Sequence, residues 1–170
     1  MIGRAGRFVL AAVLLAAAAR TAAAQEDWIG LPRGTVPASA MVEDLEGRSV
    51  DLGQWIGRRP LLVEFWATWC AQCERLLPVM EEARKRYGDR VDFVVVAVGV
   101  NQSPSSIRSH LERHPMSFPV LWDETGAATR AFEAPATAYV VVLDAEGKVA
   151  YTGLGPEQDL ASALEKVAGR

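Results

Sequence analysis

The sequence predicts an α/β domain in which a central mixed sheet has helices on both faces. Three long apolar runs, at residues 61–67, 91–100 and 138–143, are rich in β-branched residues, as is typical of strands buried on both faces. Segments with apolar residues at helical spacing lie between and after these runs. Strands that alternate with helices in this way form a sheet that is covered by helices.

The N-terminus predicts export. Arg4 and Arg7 precede the apolar stretch FVLAAVLLAAAA, and three alanines at 22–24 fit the small-residue pattern of a cleavage site, so residues 1–24 are predicted to be a secretory signal peptide. The apolar stretch is short for a membrane span, but an uncleaved segment that tethers the protein to the membrane is an alternative. We therefore expect a periplasmic or other extracytoplasmic location.

A short linker is expected before the domain. Residues 25–36 mix Pro, Gly and polar residues without periodicity, which is typical of a linker, and residues 37–170 are then the domain. Its first element is predicted to be a hairpin, because MVEDLEGRSVDL places an acidic turn with Gly47 between two short alternating runs.

The remaining elements follow from the same patterns. Each of the three apolar runs is predicted to be a strand, and the third is joined to residues 148–153 by an Asp-Ala-Glu-Gly turn that closes an antiparallel hairpin. Apolar stripes, Ser/Pro starts and Gly or Pro stops indicate helices. Four are predicted, over residues 73–88, 103–114, 124–132 and 157–168.

Charge argues against some classes of partner. The chain has 18 Lys and Arg against 21 Asp and Glu, and residues 1–24 hold three Arg and no acid, so the chain without them has 15 basic and 21 acidic side chains, a net charge of −6. This balance disfavours nucleic acid and anionic membrane surfaces as partners. The remaining 146 residues fit one domain, and we expect a monomer without a cofactor.

Cys70 and Cys73, in the stretch EFWATWCAQC, are the only cysteines in the sequence. They lie where a predicted buried strand ends and an amphipathic helix begins. Backbone N–H groups and the dipole at a helix N-terminus stabilise a thiolate, so Cys70 is predicted to be the nucleophile. Cys73 is one helical turn further along the same face and can resolve a mixed disulfide formed at Cys70. The pair therefore predicts thiol–disulfide exchange.

A structural disulfide and half of a zinc site are the alternatives for this pair. Zinc needs two further ligands, for which His110 and His114 are the candidates. Their i, i+4 spacing among charged residues is better explained by the exposed face of a helix. We therefore expect no metal site.

The cysteine motif resembles that of a known family. WCAQC, with Pro78 five residues after Cys73, resembles the W-C-x-x-C-x-x-x-x-P signature of thioredoxin-fold proteins, and EFWATWC resembles the exported TlpA/ResA/CcmG branch of thiol-disulfide oxidoreductases. The likeness extends over residues 36–168 through EDLEGRSVDL, VVVAVGVNQS, FPVLWDETG and VVVLDAEGKVAYTG. It implies a thioredoxin-like fold with an N-terminal hairpin extension and a redox-active cysteine pair.

The resemblance also implies roles for three neighbours of the pair. Trp69 precedes the nucleophile, where its ring would shield the thiol and offer a partner surface, or simply pack. Pro78 lies inside the helix, where it removes a backbone hydrogen bond and shapes the helix. Glu64 stands where thioredoxins carry a buried acid. Burial would raise its pKa enough for it to accept the proton of Cys73; the alternative is a structural acid paired with a base.

The family has, in addition, a cis-proline that faces the cysteines and whose backbone pairs with a substrate strand. Pro135 is assigned to this role, because X–Pro bonds adopt the cis form readily. The family places this proline about six residues before the strand-ending acid, whereas Pro135 is nine residues before Asp144. The departure is explained either by an extended strand with a bulge or by a loop in which Ala136 to Ala138 supply the backbone edge.

These features predict an exported thiol-disulfide oxidoreductase that reduces disulfides of periplasmic proteins and receives electrons from a membrane thiol donor, with apocytochrome c as one candidate substrate. One alternative is a peroxidase of the peroxiredoxin class, which is disfavoured because Thr68 stands two residues before Cys70 and that class has its threonine one residue earlier. Another is a Cu(I)-binding protein that uses the paired thiols as soft ligands.

Overall fold

The computed structural model describes residues 29–169. The predicted signal peptide and the first four residues of the predicted linker lie outside the described residues. The strands of the described part are β1 (Met41–Glu43), β2 (Ser49–Asp51), β3 (Leu61–Trp66), β4 (Asp92–Val98), β5 (Val120–Asp123), β6 (Tyr139–Leu143) and β7 (Val149–Leu154). Its α-helices are α1 (Ala71–Tyr87), α2 (Pro104–Arg113), α3 (Ala127–Ala131) and α4 (Leu160–Val167).

These strands form one mixed sheet in the order β2-β1-β5-β4-β3-β6-β7. The pairs β3–β4 and β4–β5 are parallel, and the other pairs are antiparallel. All residues of β3 and β6 are buried, because these strands lie inside the sheet and are covered on both faces. The predicted mixed sheet, with an N-terminal hairpin added at one edge, is confirmed.

Helices cover both faces of the sheet. The connections β3–α1–β4 and β4–α2–β5 run in the same direction across it, and right-handed crossovers place both helices on one face. Phe65 and Trp66 are consecutive in β3 and therefore point to opposite faces. The Trp66 ring lies 5.2 Å from the ring of His110 in α2, whereas the Phe65 ring lies 5.6 Å from that of Phe132, directly after α3. Thus α1 and α2 share one face, and α3 covers the other.

Both outer edges of the sheet are hairpins with the same turn. In each turn an aspartate, Asp44 or Asp144, accepts hydrogen bonds from the backbone N–H groups two and four residues further on. Gly47 and Gly147 have φ of 82° and 79°, a conformation that glycine adopts at little cost. The two turns predicted from the acidic Gly-containing segments are therefore confirmed.

The described part of the predicted linker, residues 29–36, packs against the domain. Leu31 is buried, and its N–H donates to the hydroxyl of Tyr139 at 3.2 Å. The N–H of Gly34 donates to the carbonyl of Val149, and the N–H of Val149 donates to the carbonyl of Thr35, each at 2.8 Å. These residues therefore belong to the folded unit.

Two elements differ from the sequence-based expectation in extent. The helix predicted over 157–168 begins at Leu160, because Asp159 is its N-cap and accepts a hydrogen bond from the N–H of Ser162 at 3.0 Å. The helix predicted over 124–132 is only α3, since residues 124–126 form the turn that leads into it. The short strand β5 was not predicted from periodicity, because four residues are too few to show a pattern.

Candidate active site

The cysteine pair lies at the junction of β3 and α1. Cys70 is the N-cap of α1, and its Sγ accepts a hydrogen bond from the N–H of Cys73 at 3.1 Å. The two residues form a disulfide with Cα atoms 5.3 Å apart. Cys73 is fully buried, whereas 5% of Cys70 is exposed. The arrangement agrees with the predicted roles, because only the sulfur at the helix N-terminus is accessible and favourably placed to carry charge.

Hydrogen bonds through one side chain connect the loop that carries Cys70 to the end of β4. The N–H of Thr68 donates to Oε1 of Gln102 at 2.9 Å, and Nε2 of Gln102 donates to the carbonyl of Val98 at 2.7 Å. Sequence reasoning missed Gln102. The signal that could have found it is its place just after β4, because the carboxyl ends of neighbouring parallel strands meet at one edge of the sheet.

Trp69 forms one wall of an open groove beside the pair. Its indole N–H donates to the carbonyl of Val100 at 2.9 Å, and 51% of the residue is exposed. The groove has a volume of about 370 Å³, and its opposite wall includes Pro135 and Thr137. The structure therefore brings two predicted substrate-binding residues, Trp69 and Pro135, to one groove.

The assignment of Pro135 as the cis-proline is wrong. The peptide bond before it is trans, since residues 29–169 contain no cis peptide bond. The position six residues before Asp144 is occupied by Ala138, with φ of 58°. Its N–H donates to the carbonyl of Phe65 at 2.8 Å, and its carbonyl accepts from the N–H of Gly155 at 3.0 Å. These bonds hold an L-residue in a left-handed conformation that costs about 1–2 kcal/mol.

The loop before β6 accounts for the unusual spacing. Because β6 begins only at Tyr139, the strand does not extend back to Pro135. Residues 134–137 instead line the groove. Of the two explanations offered by the sequence, the structure agrees with the loop and not with the extended strand.

Glu64 is the buried acid of the site. Only 1% of the residue is exposed, and its Oε1 has no hydrogen-bond partner among the described residues. Burial alone raises the pKa of Glu64 from 4.5 to about 8, because the charged form loses its hydration. Glu64 lies two residues before Trp66 and therefore on the face of the sheet that α1 covers. The alternative of a structural acid paired with a base does not describe this carboxyl.

Pro78 lies within α1, which continues on both sides of it. Having no N–H, it cannot donate to the carbonyl of Glu74 as another residue would. Its shaping role remains a prediction. It is exposed and is one turn beyond Glu74.

The two histidines of α2 differ from the expectation. His114 is exposed, but His110 is buried with 8% exposure, so the interpretation of both as an exposed helix face is wrong for His110. The stripe that faces the sheet includes Ile107 and His110, three residues apart. Within residues 29–169 no group of three or more His, Cys, Asp or Glu side chains is arranged to hold a metal ion.

Comparison with known proteins agrees with this geometry. The profile of the Redoxin family matches residues 32–167. The thiol-disulfide oxidoreductase ResA of Geobacillus thermodenitrificans is 29% identical over 136 residues, which are 79% of this chain and 77% of that protein. The thioredoxin-like protein YneN of Bacillus subtilis is 30% identical over 99 residues, which are 58% of each chain.

Solved structures show the same fold. A thiol:disulfide interchange protein of the DsbE type from Chlorobium tepidum has a TM-score of 0.73 at 22% identity, over 82% of this chain and 99% of that one. A secreted disulfide oxidoreductase of Mycobacterium tuberculosis has a TM-score of 0.64 at 20% identity, over 74% and 94%. The predicted thioredoxin-like fold is therefore confirmed.

Proposed function

Since the chain belongs to the Redoxin family and is a thiol-disulfide oxidoreductase, we propose that it acts outside the cytoplasm as a reductase of protein disulfides. The observation that carries this proposal is the position of the Cys70–Cys73 pair at the start of α1 beside an open groove. The accessible sulfur can be reached by a disulfide of another protein, and the groove can hold the chain around it.

The groove suits an extended segment of a substrate protein. Trp69 and Val100 present exposed apolar surface on one side, and the loop of residues 134–137 forms the other. Exposed aromatic and apolar residues around a concave site are typical of recognition surfaces. Specificity in this proposal depends on the segment that flanks the substrate's disulfide, and the loop takes the place that the family gives to its cis-proline.

The exchange has two steps. The thiolate of Cys70 attacks one sulfur of the substrate disulfide, forms a mixed disulfide and releases the other substrate sulfur as a thiolate, which takes up a proton. Cys73 then loses its proton and attacks Sγ of Cys70, and the second substrate sulfur leaves as a thiolate. Two electrons have passed to the substrate, and the protein ends with the Cys70–Cys73 disulfide. Glu64 is the proposed acceptor of the Cys73 proton.

The charges around the pair favour the reducing direction. An oxidant is made by stabilising the reduced, thiolate form. Here the charged residue in the first turn of α1 is the acid Glu74, and the buried group on the same face of the sheet is the acid Glu64. Glu74 disfavours a neighbouring thiolate by its charge, and Glu64, with a pKa of about 8, does so when it ionises. Both effects favour the disulfide, which makes the dithiol a better reductant.

A reductase in an oxidising compartment needs a supply of electrons, and we propose that a membrane thiol protein reduces the pair after each cycle. The predicted signal peptide at residues 1–24 and the secreted relative support the extracytoplasmic location. In the described part of the chain no helix is long and apolar enough to span a membrane. We propose a monomer that acts on protein disulfides and does not bind nucleic acid.

The test of direction is the reduction potential of the pair, measured by equilibration with defined thiol–disulfide buffers and Trp fluorescence. We expect a value near that of thioredoxin, about −270 mV; a value near about −120 mV would make the protein an oxidant and overturn the proposed direction. A Cys70→Ser variant should show no transition in the same titration and confirms that the signal reports the pair.

A further inference from the structure

A small cavity adjoins the buried resolving cysteine. It has a volume of about 110 Å³, and Cys73 of α1, Trp66 of β3 and both His110 and His114 of α2 line it, together with Glu74. A cavity of this size with several polar groups on its wall has room for water. The resolving cysteine and the two imidazole rings therefore line one small and mostly apolar cavity, to which Cys73, Glu74, His110 and His114 contribute the polar or ionisable groups.

The rings of Trp66, His110 and His114 are in contact with one another and extend from this cavity to the surface. The edge of the His110 ring faces Trp66, with ring centroids 5.2 Å apart, and the His114 ring stacks on His110 at 4.7 Å. Trp66 is 2% exposed and His110 is 8% exposed, whereas His114 is exposed. The two stacked imidazoles thus extend from the neighbourhood of Cys73 to solvent.

The resolving step requires such a connection. Cys73 must lose a proton before its sulfur can attack, but Cys73 is fully buried and Glu64 is 1% exposed. Neither can exchange a proton directly with bulk water, so an acid that accepts the proton must also pass it on before the next cycle. We propose that His110 and His114 form the route by which the Cys73 proton leaves the protein. This inference rests on the proposed exchange reaction, but not on its direction.

The proton balance of the step is simple. As the Cys73 sulfur bonds to Sγ of Cys70 and the substrate thiolate departs, the proton of Cys73 passes, directly or through a water in the cavity, to His110. Since the two rings stack face to face, a water molecule carries the proton from a nitrogen of His110 to a nitrogen of His114. His114 then releases it to solvent, where the departing thiolate can take one up. Glu64, with a pKa of about 8, is mostly protonated below pH 8 and accepts the Cys73 proton only above it. Below pH 8 the proton passes to His110, which is the link to solvent.

The charges around His110 suit a proton acceptor. Burial lowers the pKa of His110 below its usual range, and the neighbouring His114 and Arg113 on the same helix lower it further, while Glu74 of α1 raises it. Glu64 of β3 is a further titratable group on this face of the sheet, and the strand register places Glu43 of β1 on the same face. This lowering favours the neutral form of His110, which has a free position for a proton, as an acceptor needs.

The resolving step can be observed alone. The reduced mature protein is mixed with glutathione disulfide in a stopped-flow instrument, and Trp fluorescence is followed from pH 5.5 to 8.5. Attack by Cys70 gives a rate proportional to glutathione disulfide, and resolution by Cys73 gives the plateau rate at saturation. Four variants are compared with the native protein: His110→Gln, His110→Ala, His114→Gln and, as an exposed control on the same helix, Glu112→Gln.

We expect the His110 variants to lower the plateau rate about tenfold near pH 6–7 and to leave the bimolecular rate unchanged, since a positioned proton acceptor typically contributes at least this much. Added imidazole should restore the plateau rate of His110→Ala, because the enlarged cavity can admit it. His114→Gln, which removes an exposed ring, should show a smaller loss in the same pH range, and Glu112→Gln should behave as the native protein.

Three results would overturn the inference. Plateau rates of the His110 and His114 variants equal to those of Glu112→Gln at every pH would show that the histidines carry no proton. A loss that is the same at all pH values and is not restored by imidazole would show that His110 only packs against Trp66. If the native protein itself does not react with glutathione disulfide, the exchange reaction fails, and the inference fails with it.

Discussion

Gln102 and Thr68 are joined by a hydrogen bond of 2.9 Å, from the backbone N–H of Thr68 to Oε1 of Gln102. Thr68 lies two residues before Cys70, and Gln102 is held in turn by the carbonyl of Val98 at the end of β4. One amide side chain therefore connects the cysteine loop to the neighbouring strand.

The first prediction concerns this connection. Gln102→Ala leaves the Thr68 N–H without its partner, and an unpaired backbone group costs about 1–3 kcal/mol. We expect a lower free energy of unfolding in urea and a slower attack on glutathione disulfide, because the loop no longer holds Cys70 in place. Gln54 is an exposed glutamine, and Gln54→Ala should change the free energy of unfolding by less than about 0.5 kcal/mol. Equal effects of the two variants would contradict the role of Gln102.

The second prediction concerns the pH dependence of stability. The folded-state pKa of Glu64 is about 8, against an ordinary value of 4.5. A carboxyl with a raised pKa stabilises the fold fully below pH 4.5, and this contribution is lost as the pH rises to 8. The loss corresponds to up to about 5 kcal/mol. Glu64→Gln should abolish this slope in urea unfolding between pH 5 and 8, whereas the exposed control Glu165→Gln should keep it.

The third prediction separates the two cysteines. In Cys73→Ser the mixed disulfide at Cys70 cannot be resolved, so this variant should retain a covalently bound substrate protein. Cys70→Ser should retain little or none, because Cys73 is fully buried. Non-reducing electrophoresis followed by mass spectrometry detects the adduct. The assignment of Cys70 as the nucleophile would be wrong if Cys70→Ser were the variant that traps the substrate.

The fourth prediction concerns the groove wall. Trp69→Ala removes an exposed ring and its hydrogen bond to Val100. We expect kcat/KM for a protein disulfide to fall about tenfold or more, as for an aromatic contact at the centre of an interface, while the rate with glutathione disulfide changes little. Val36 is also exposed and apolar but lies in the segment that packs beside Val149, so Val36→Ala should leave both rates unchanged. A parallel loss with both substrates would indicate that Trp69 supports Cys70 and not the partner.

The fifth prediction concerns the support of the groove. Asp123 is fully buried, and its carboxylate accepts hydrogen bonds from the N–H groups of Ala128 and Thr129 and from the Thr129 hydroxyl. Asp123→Ala leaves these donors at the start of α3 unpaired and should cost about 2–4 kcal/mol in urea unfolding. Asp123→Asn retains an acceptor oxygen and should cost less. Similar losses in both variants would show that the charge, and not the hydrogen bonds, matters.

The sequence predicts the central elements well because their signals are local. The runs that became β3, β4 and β6 are apolar except for Glu64 in β3 and Asp92 at the start of β4, and the cysteine pair marks the start of α1 by itself. The misses depend on contacts between distant segments. The charged neighbours of His110 gave no sign that this face of α2 crosses Trp66, and nothing near Gln102 showed that it would reach Thr68.

The departure at Pro135 has a different origin. The sequence-based interpretation assigns Pro135 to the role of the family's cis-proline because it is a proline. The position that this role requires lies directly before β6. In this chain the residue at that position is Ala138, which has a positive φ and follows a trans peptide bond. The spacing to Asp144 already pointed to this residue, whereas the proline did not.

The segment before the first strand also protects the sheet from association with other chains. A free edge strand presents unpaired N–H and C=O groups to which a foreign strand can add. Val149, at the start of the edge strand β7, has both of these groups occupied by Gly34 and Thr35. The opposite edge strand, β2, has only three residues, too few to template another strand. The start of β7 and the short strand β2 are thus poor starting points for aggregation.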